Sequence, residues 1–245
     1  MTKLLIGNWK MNPTDPEKAE NIFSTVKKAP GSAKVEVVIT PPAIYIPLLK
    51  DRGLSLGVQN IYFKNKGSFT GEVSAEMAKN SGCKYALIGH SERRNIFDET
   101  DEQVKKKTEA ALEADLVPII CVGETKKQKN SGQTGAVIKS QIKEALAELN
   151  EESIENLVVG YEPVWAIGSG DPCDPETAFK MRLLIKKTLS RIFSRSFAEK
   201  TSIVYGGSVN LGNCSDYTKQ AKFDGLLVGG ASLTPNKFGR MIKEI

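Results

Sequence analysis

Three segments of the chain place reactive side chains directly after short apolar, β-branched runs. They carry Asn8 with Lys10, His90 with Glu92, and Glu162. A carboxylate can accept a proton, while an imidazole and an ammonium group can donate to an oxygen that becomes negative. These residue types suit the removal of a proton next to a carbonyl group, provided that the fold brings the three segments together.

Side-chain alternation predicts which of these groups share a face. On an extended first strand Asn8 and Lys10 point the same way, and on an extended fourth strand so do Ile88, His90 and Glu92. The alternatives are structural, because a lysine at a strand end often extends its ammonium group to solvent and a single histidine is often only a core residue. A position at the end of a barrel strand favours the catalytic interpretation.

Glu162 stands at the end of the sixth apolar run, directly before Pro163. The proline holds the glutamate extended and removes a backbone donor at that point. The neighbouring residues are mostly apolar, so we predict that desolvation raises the pKa of Glu162 toward the range of a useful base. The alternative is a surface carboxylate paired with a lysine.

Paired glycines follow the last two apolar runs, in Gly206-Gly207-Ser208 and Gly229-Gly230. Glycines let backbone N–H groups approach an anion closely, and the loops after strands seven and eight of a barrel frequently bind phosphate. A third glycine-containing segment, at 168–170, follows the sixth run. Together they predict a phosphorylated substrate.

The composition is that of an ordinary globular protein. Of 245 residues 40% are hydrophobic and 26% charged, and the net charge of +5 favours anionic substrates. The longest apolar run, at 116–122, is too short to cross a bilayer, and the first residues lack the apolar segment of a secretory signal. Four widely spaced cysteines and one histidine argue against disulfides and zinc. We therefore expect a cytoplasmic protein with no metal, no cofactor, and no nucleic-acid or membrane partner.

Eight apolar runs alternate with segments of helical periodicity. The runs begin near Leu4, Val35, Leu54, Tyr85, Val117, Leu157, Ser202 and Gly225. Apolar stripes at 138–149 and 181–192 have the spacing of helices that cover a sheet. Eight units of about 30 residues use the whole chain, which predicts one domain over residues 1–245. We expect an α/β fold, a (β/α)8 barrel of eight parallel strands, each followed by a helix. An open doubly wound sheet is the alternative, but the chain lacks the glycine motifs that bind nucleotides there.

Seven motifs, read in order, carry a specific resemblance. They are GNWKMN at 7–12, QN at 59–60, GSFTGE at 67–72, IGHSERR at 88–94, YEPVWAIG at 161–168, YGGSV at 205–209 and GGASL at 229–233. With these motifs the whole chain resembles the triosephosphate isomerase family. The resemblance implies a TIM barrel that interconverts glyceraldehyde 3-phosphate and dihydroxyacetone phosphate through an enediolate.

The resemblance also implies a role for each reactive residue. Glu162 would move the proton between C1 and C2, and His90 would act as a neutral electrophile at the two oxygens, as the family is known to use it. Lys10 and Asn8 would bind the carbonyl side of the substrate. Glu92 would support the site through its neighbours.

A phosphate site and a lid are implied as well. The phosphate would be bound by backbone at Gly168, Ser208, Gly229 and Gly230. The lid would close over the substrate and exclude water. It comprises Pro163, Val164, Trp165, Ala166, Ile167, Gly168, Ser169, Gly170, Asp171, Pro172 and Cys173.

The segment at 67–72 resembles the family loop that inserts into a neighbouring subunit near Asn8 and Lys10, which implies a homodimer. Its residues include Gly67, Phe69, Thr70, Gly71 and Glu72.

The chain departs from the family pattern at the second hinge of the lid. The family usually has a Lys-Thr-Ala-like tripeptide there, whereas this chain has Asp171-Pro172-Cys173. Pro172 fixes its own φ and restricts Asp171, so fewer hinge conformers are available. We expect altered lid opening rather than loss of activity.

The sequence leaves three alternative functions. A serine hydrolase is suggested by Gly89-His90-Ser91-Glu92-Arg93, but its fifth position is not glycine and no second histidine can activate the serine. Another phosphate-binding barrel, such as a lysine-type aldolase, would need a buried Schiff-base lysine. A nucleic-acid binder would rely on the positive charge and lose affinity steeply with salt.

Overall fold

A computed structural model of the chain describes residues 2–29, 31–32 and 34–245. Eight parallel strands, hydrogen-bonded in chain order with β1 returning to β8, form a closed barrel. The strands are β1 (Lys3–Asn8), β2 (Val35–Thr40), β3 (Ser55–Val58), β4 (Cys83–Ile88), β5 (Val117–Val122), β6 (Val158–Tyr161), β7 (Ser202–Tyr205) and β8 (Gly225–Val228). The prediction of a (β/α)8 barrel is confirmed.

Helices follow the strands and cover the outside of the barrel. They are α1 (Pro16–Lys27), α2 (Ile46–Leu49), α3 (Ala75–Asn80), α4 (Ser91–Ile96), α5 (Asp101–Glu113), α6 (Lys126–Asn130), α7 (Thr134–Ala145), α8 (Pro175–Ile192), α9 (Arg195–Lys200) and α10 (Pro235–Glu244). After β7 the helical segment is a π-helix, Asp216–Gln220. No helix in the described part of the chain is long and apolar enough to span a membrane.

Helix starts follow from side-chain caps. Thr100 and Thr125 each form a capping box with a glutamine three residues on, and Asp174 accepts from the backbone N–H of Thr177 at 2.8 Å. The apolar stripes predicted for helices lie in α7 and α8. Helix α7 ends at Ala145, whereas the predicted stripe continues to residue 149.

The core has two layers, because successive strand residues point to opposite sides of the sheet. The inner layer fills the barrel with strand residues: Leu4, Ile6, Val38, Tyr85, Leu87, Ile119, Cys121, Val158, Val204 and Leu227. Their strand neighbours, such as Leu5 and Ile88, pack outward against the helices. A solid interior confines ligands to the barrel ends.

Candidate active site

A cavity of about 280 Å³ lies at the carboxyl ends of the strands. Asn8, Lys10, His90, Glu162, Ile167, Gly168, Gly206, Gly207, Ser208, Val209, Asn210, Leu227, Gly229, Gly230 and Ala231 line it. Every predicted catalytic and phosphate-binding residue except Glu92 is in this set. A larger cavity of about 680 Å³ lies at the opposite end of the barrel, around Thr2, Lys84 and Ser202, and contains none of them.

His90 and Glu162 meet in the cavity although 71 residues separate them. The imidazole Nε2 lies 3.0 Å from Glu162 Oε1, and both side chains are almost fully buried. The other carboxylate oxygen, Oε2, accepts the backbone N–H of Ser91 at 3.0 Å. The candidate base is therefore held between the imidazole and one backbone donor. The hydrogen bond from Ser91 was not predicted from the sequence.

The second imidazole nitrogen is engaged by the helix that follows. His90 is the N-cap of α4, and its Nδ1 accepts the backbone N–H of Glu92 at 3.2 Å. A nitrogen that accepts a hydrogen bond carries no proton, so the proton of a neutral ring is on Nε2, facing Glu162. Burial lowers the pKa of His90, but the Glu162 carboxylate raises it by more, so the pKa lies above its usual value of 6.5. The backbone N–H of Glu92, which points at Nδ1, opposes protonation of that nitrogen.

The predicted extent of strand four is wrong. β4 ends at Ile88, and Gly89 takes a φ of 70° that turns the chain out of the strand into α4. Strand alternation therefore does not explain why His90 and Glu92 lie near each other. His90 is placed by the cap of α4, and Glu92 by its first turn.

The predicted direction of the pKa shift of Glu162 is also wrong for this arrangement. Burial raises the pKa of Glu162, as expected, but the facing His90 and the N–H of Ser91 lower it further, to below its usual 4.5. The apolar sequence around Glu162 gave no sign of these partners. A ligand that drew His90 away would leave burial as the main influence on the pKa.

Lys10 sits at the mouth of the barrel in a turn rather than in a strand. Its φ is 53°, and its backbone N–H donates to Asn8 Oδ1 at 3.0 Å. Its ammonium group forms a close ion pair with Glu92, and the Gly229 backbone passes beside its side chain. Glu92 therefore contacts Lys10 directly, which is more specific than the predicted support through neighbours.

The glycine loops converge on the same cavity. Gly230 opens a 3₁₀ turn, Gly230–Leu233, whose first N–H groups have no partner within the turn. Ser208 adopts a φ of 48°, and its hydroxyl donates to Ala166 O at 2.5 Å. Gly168, with a φ of 68°, lines the same cavity. The predicted phosphate-binding residues are thus brought together around one space.

The first turn of the segment predicted to form the lid, Val164–Ala166, is hydrogen-bonded to the connection after β5. The indole N–H of Trp165 donates to Glu124 Oε1 at 2.8 Å, and Tyr161 also lies against that carboxylate. Glu124 is buried. Sequence reasoning missed it, although it follows the β5 run just as Glu162 follows the β6 run.

The segment predicted to form the second hinge is hydrogen-bonded to two tyrosines. The Cys173 N–H donates to Tyr205 Oη at 3.2 Å, and Tyr217 Oη donates to Cys173 O at 2.6 Å. The two rings stack with centroids 3.8 Å apart. Burial raises the pKa of the Cys173 thiol to about 12, so the thiol is neutral at physiological pH.

Gly123 lies directly beneath the candidate base. A Cβ at this position would overlap the backbone carbonyl of Glu162. Gly123 and Glu162 lie this close because the hydrogen bonding between β5 and β6 continues beyond the end of β6. Glu162 N donates to Val122 O at 2.8 Å. Gly123 N donates in turn to the Gln141 side chain at 2.8 Å.

The segment predicted to form the dimer loop is separate from the cavity of this chain. Residues 66–72 are exposed, and the Phe69 ring packs on Tyr62 with centroids 4.7 Å apart. Met11, beside Lys10, is 90% exposed, and Phe97 at the end of α4 is 64% exposed. Met11 and Phe97 thus leave exposed apolar side chains next to Lys10 and at the end of α4.

The hydrolase alternative has no geometric support. Both imidazole nitrogens are engaged, by Glu162 and by the backbone of Glu92, so the ring is not directed to the Ser91 hydroxyl. Among the described residues, no group of three His, Cys, Asp or Glu side chains is arranged to hold a metal ion.

The fold and the site define a class, the (β/α)8-barrel enzymes that act on a small anionic substrate at the carboxyl ends of the strands. Residues 3–245 match the family model described as Triosephosphate isomerase. The chain is 43% identical over 244 residues to the triosephosphate isomerase of Endomicrobium trichonymphae, covering 98% of this chain and 97% of that protein. It is 42% identical over 246 residues to that of Dictyoglomus thermophilum, covering 99% of each. The chain belongs to the triosephosphate isomerase family, and its activity is the interconversion of triose phosphates.

Proposed function

We propose that the chain converts dihydroxyacetone phosphate to D-glyceraldehyde 3-phosphate and back through an enediolate, as glycolysis and gluconeogenesis require, with Glu162 as the base. The observation that carries the proposal is the 3.0 Å contact between Glu162 and His90, in a cavity that also holds Lys10 and the glycine loops. A base, a neutral donor and a cation around one small space are what proton transfer beside a carbonyl needs.

Glu162 takes the proton from C1 of dihydroxyacetone phosphate and returns it to C2. Its low pKa in the free protein depends on His90 and Ser91. Substrate oxygens that displace the imidazole remove one of these influences, and burial then raises the pKa of the carboxyl group. The carboxylate becomes a stronger base when substrate is bound.

His90 stabilises the enediolate through the proton on Nε2. The Glu92 N–H at Nδ1 fixes that tautomer, and the neutral ring donates first to one substrate oxygen and then to the other. Lys10 supplies positive charge for the same oxygens, with Asn8 beside it at the mouth of the barrel. Glu92 holds the Lys10 ammonium group in position.

The phosphate group is bound by backbone N–H groups of Gly168, Ser208, Gly229 and Gly230. An enediolate exposed to water eliminates phosphate, so the lid at 163–173 must cover the intermediate. The hydrogen bond from Ser208 to Ala166 supports this role, because it links the phosphate loop to the lid.

We propose further that the enzyme is a homodimer, with the loop at 67–72 inserted next to Asn8 and Lys10 of the partner subunit. Exposed apolar side chains around the barrel mouth, Met11 and Phe97 among them, support an interface there. Free buried thiols at all four cysteines suit the reducing cytoplasm. The assignment of residues 1–245 to one domain stays a prediction.

A coupled assay of triose phosphate interconversion tests the assignment of the base. Glu162→Asp withdraws the carboxylate by one methylene, and we expect kcat/KM to fall on the order of a hundredfold. Glu155→Asp, at an exposed position near the other end of the barrel, is the matched control. An inactive wild-type enzyme would reject the function, and a fully active Glu162→Asp variant would reject Glu162 as the base.

A further inference from the structure

The indole of Trp165 has a second partner besides Glu124. The ammonium nitrogen of Lys129 lies 3.2 Å from the centroid of the Trp165 ring, and that of Lys126 lies 5.6 Å away. An ammonium group over an indole face is attracted by the negative potential of the ring. The tryptophan is therefore contacted at its edge by an anion and on its face by a cation.

The spacing in α6 explains which lysines reach the ring. Lys126 and Lys129 are three residues apart and share a helix face, whereas Lys127 points elsewhere and is exposed. Thr125 and Gln128 close a capping box that fixes the start of this short helix. Lys129 is only half exposed, as its position over the ring requires.

Lys129 has the indole as its main partner. Within the described part of the chain, no carboxylate oxygen lies within 4.0 Å of its nitrogen, and its side chain donates no hydrogen bond there. Glu124 and Lys129 both belong to the connection that follows β5. This connection therefore contacts Trp165, in the first turn of the lid, both at the indole N–H and on the ring face.

We infer that Lys129 is a positioning residue of the lid: its ammonium group, on the face of Trp165, holds the first lid turn in the arrangement that closes the cavity. The inference rests on the proposed function, because it assumes that the lid at 163–173 covers the substrate. Ile167 and Gly168, which follow this turn, form part of the cavity wall. Loosening Trp165 weakens substrate binding without touching a group that meets the substrate.

Three variants separate the contact from simple loss of charge. Lys129→Met keeps the length of the side chain and removes the cation, while Lys129→Arg keeps a cation that can lie on the ring. Lys127→Met removes an equal charge from the same helix at an exposed position, and so controls for weaker attraction of an anionic substrate.

The first measurement is acrylamide quenching of tryptophan fluorescence in the protein without substrate. The chain has two tryptophans, and Trp9 is fully buried, so quenching reports on Trp165. We expect the quenching constant to rise in Lys129→Met, and to stay near the wild-type value in Lys127→Met and Lys129→Arg. This measurement needs no activity, so it distinguishes failure of the contact from failure of the proposed function.

The second measurement is KM for triose phosphate. A cation–π contact at a partly exposed site predicts a rise of about two- to fivefold in Lys129→Met relative to Lys127→Met, with recovery in Lys129→Arg. Changed quenching with an unchanged KM would overturn the positioning role, as would a changed KM with unchanged quenching. If Lys129→Met and Lys127→Met had the same quenching constant and the same KM, the inference would be overturned altogether. Thermal unfolding of each variant verifies that it is folded.

Discussion

At the scale of single residues, the site depends on contacts between side chains that are far apart in the sequence. The residue types at the strand ends predicted a glutamate base, an imidazole and a lysine near one another, and the structure brings these three residues to one cavity. The contact of His90 with Glu162 and the N–H of Ser91 were not predictable, because each depends on how two separate loops leave the barrel. The sequence therefore predicted that burial would raise the pKa of Glu162. In the structure, His90 and the N–H of Ser91 lower that pKa by more than burial raises it.

A third buried carboxylate, Glu99, joins the segment that carries His90 to its surroundings. Its Oε2 accepts from Arg93 Nε at 2.5 Å and from Lys107 Nζ at 3.0 Å, and its Oε1 accepts the Gly89 N–H at 3.2 Å. Burial raises the pKa of Glu99, but the two cations lower it further, to below 4.5. The carboxylate therefore joins β4, α4 and α5 just behind the candidate active site.

We predict that Glu99→Gln lowers the free energy of unfolding by about 3–5 kcal/mol at neutral pH, since it breaks a buried ion pair. A carboxyl group whose pKa is lowered by folding contributes stability above its unfolded pKa and loses it as the pH falls through the folded pKa. The difference from wild type should therefore shrink below pH 4.5. Urea unfolding at several pH values measures it. Glu102→Gln, at an exposed ion pair, is the control that should behave like wild type.

At the scale of elements, hydrophobic periodicity predicted the eight strands and the barrel, but not where every strand ends. The clearest error is at β4, where the run was extended to Glu92 and the strand stops at Ile88. Gly89 was the available signal, because a glycine at the end of an apolar run often takes a positive φ and starts a turn. The contacts of Glu124 and Tyr217 with the proposed lid could not be predicted, because packing between loops has no sequence period.

The lid hinge gives a prediction at this scale. Replacing Asp171-Pro172-Cys173 by Lys-Thr-Ala frees two backbone positions from the restraint of Pro172, so we expect a change of lid opening with activity retained. The Cys173 backbone bonds to Tyr205 and Tyr217 do not need the thiol and should persist. Steady-state turnover and product-release rates in a stopped-flow assay test this. Unchanged values of both would contradict it.

At the scale of the whole molecule, exposed apolar side chains are the basis for the proposed dimer interface. Met11 is 90% exposed and follows Lys10 directly, and Ile96 and Phe97 are 67% and 64% exposed at the end of α4. Large apolar side chains that are this exposed are typical of a protein–protein interface. The sequence motif at 67–72 indicated the same surface through family resemblance alone.

We predict that Met11→Glu yields a monomer with activity reduced on the order of a hundredfold, because a buried unpaired charge opposes association and Lys10 loses its placement. Sedimentation velocity and the coupled assay measure the two effects. Leu183→Glu introduces the same charge at a 48% exposed position on α8, and it should remain dimeric and active. A monomeric wild-type enzyme, or a dimeric Met11→Glu variant, would be inconsistent with the proposed interface.

Gly123 sets a limit on how this enzyme can be re-engineered. Because the backbone of Glu162 lies directly against it, even a methyl group there must displace the residue that we propose as the base. A library that randomises position 123 should return glycine codons alone among active clones. Gly168 and Gly170 in the segment at 163–173 face open space, but their φ values of 68° and 75° strain any other residue, so these two positions also favour glycine.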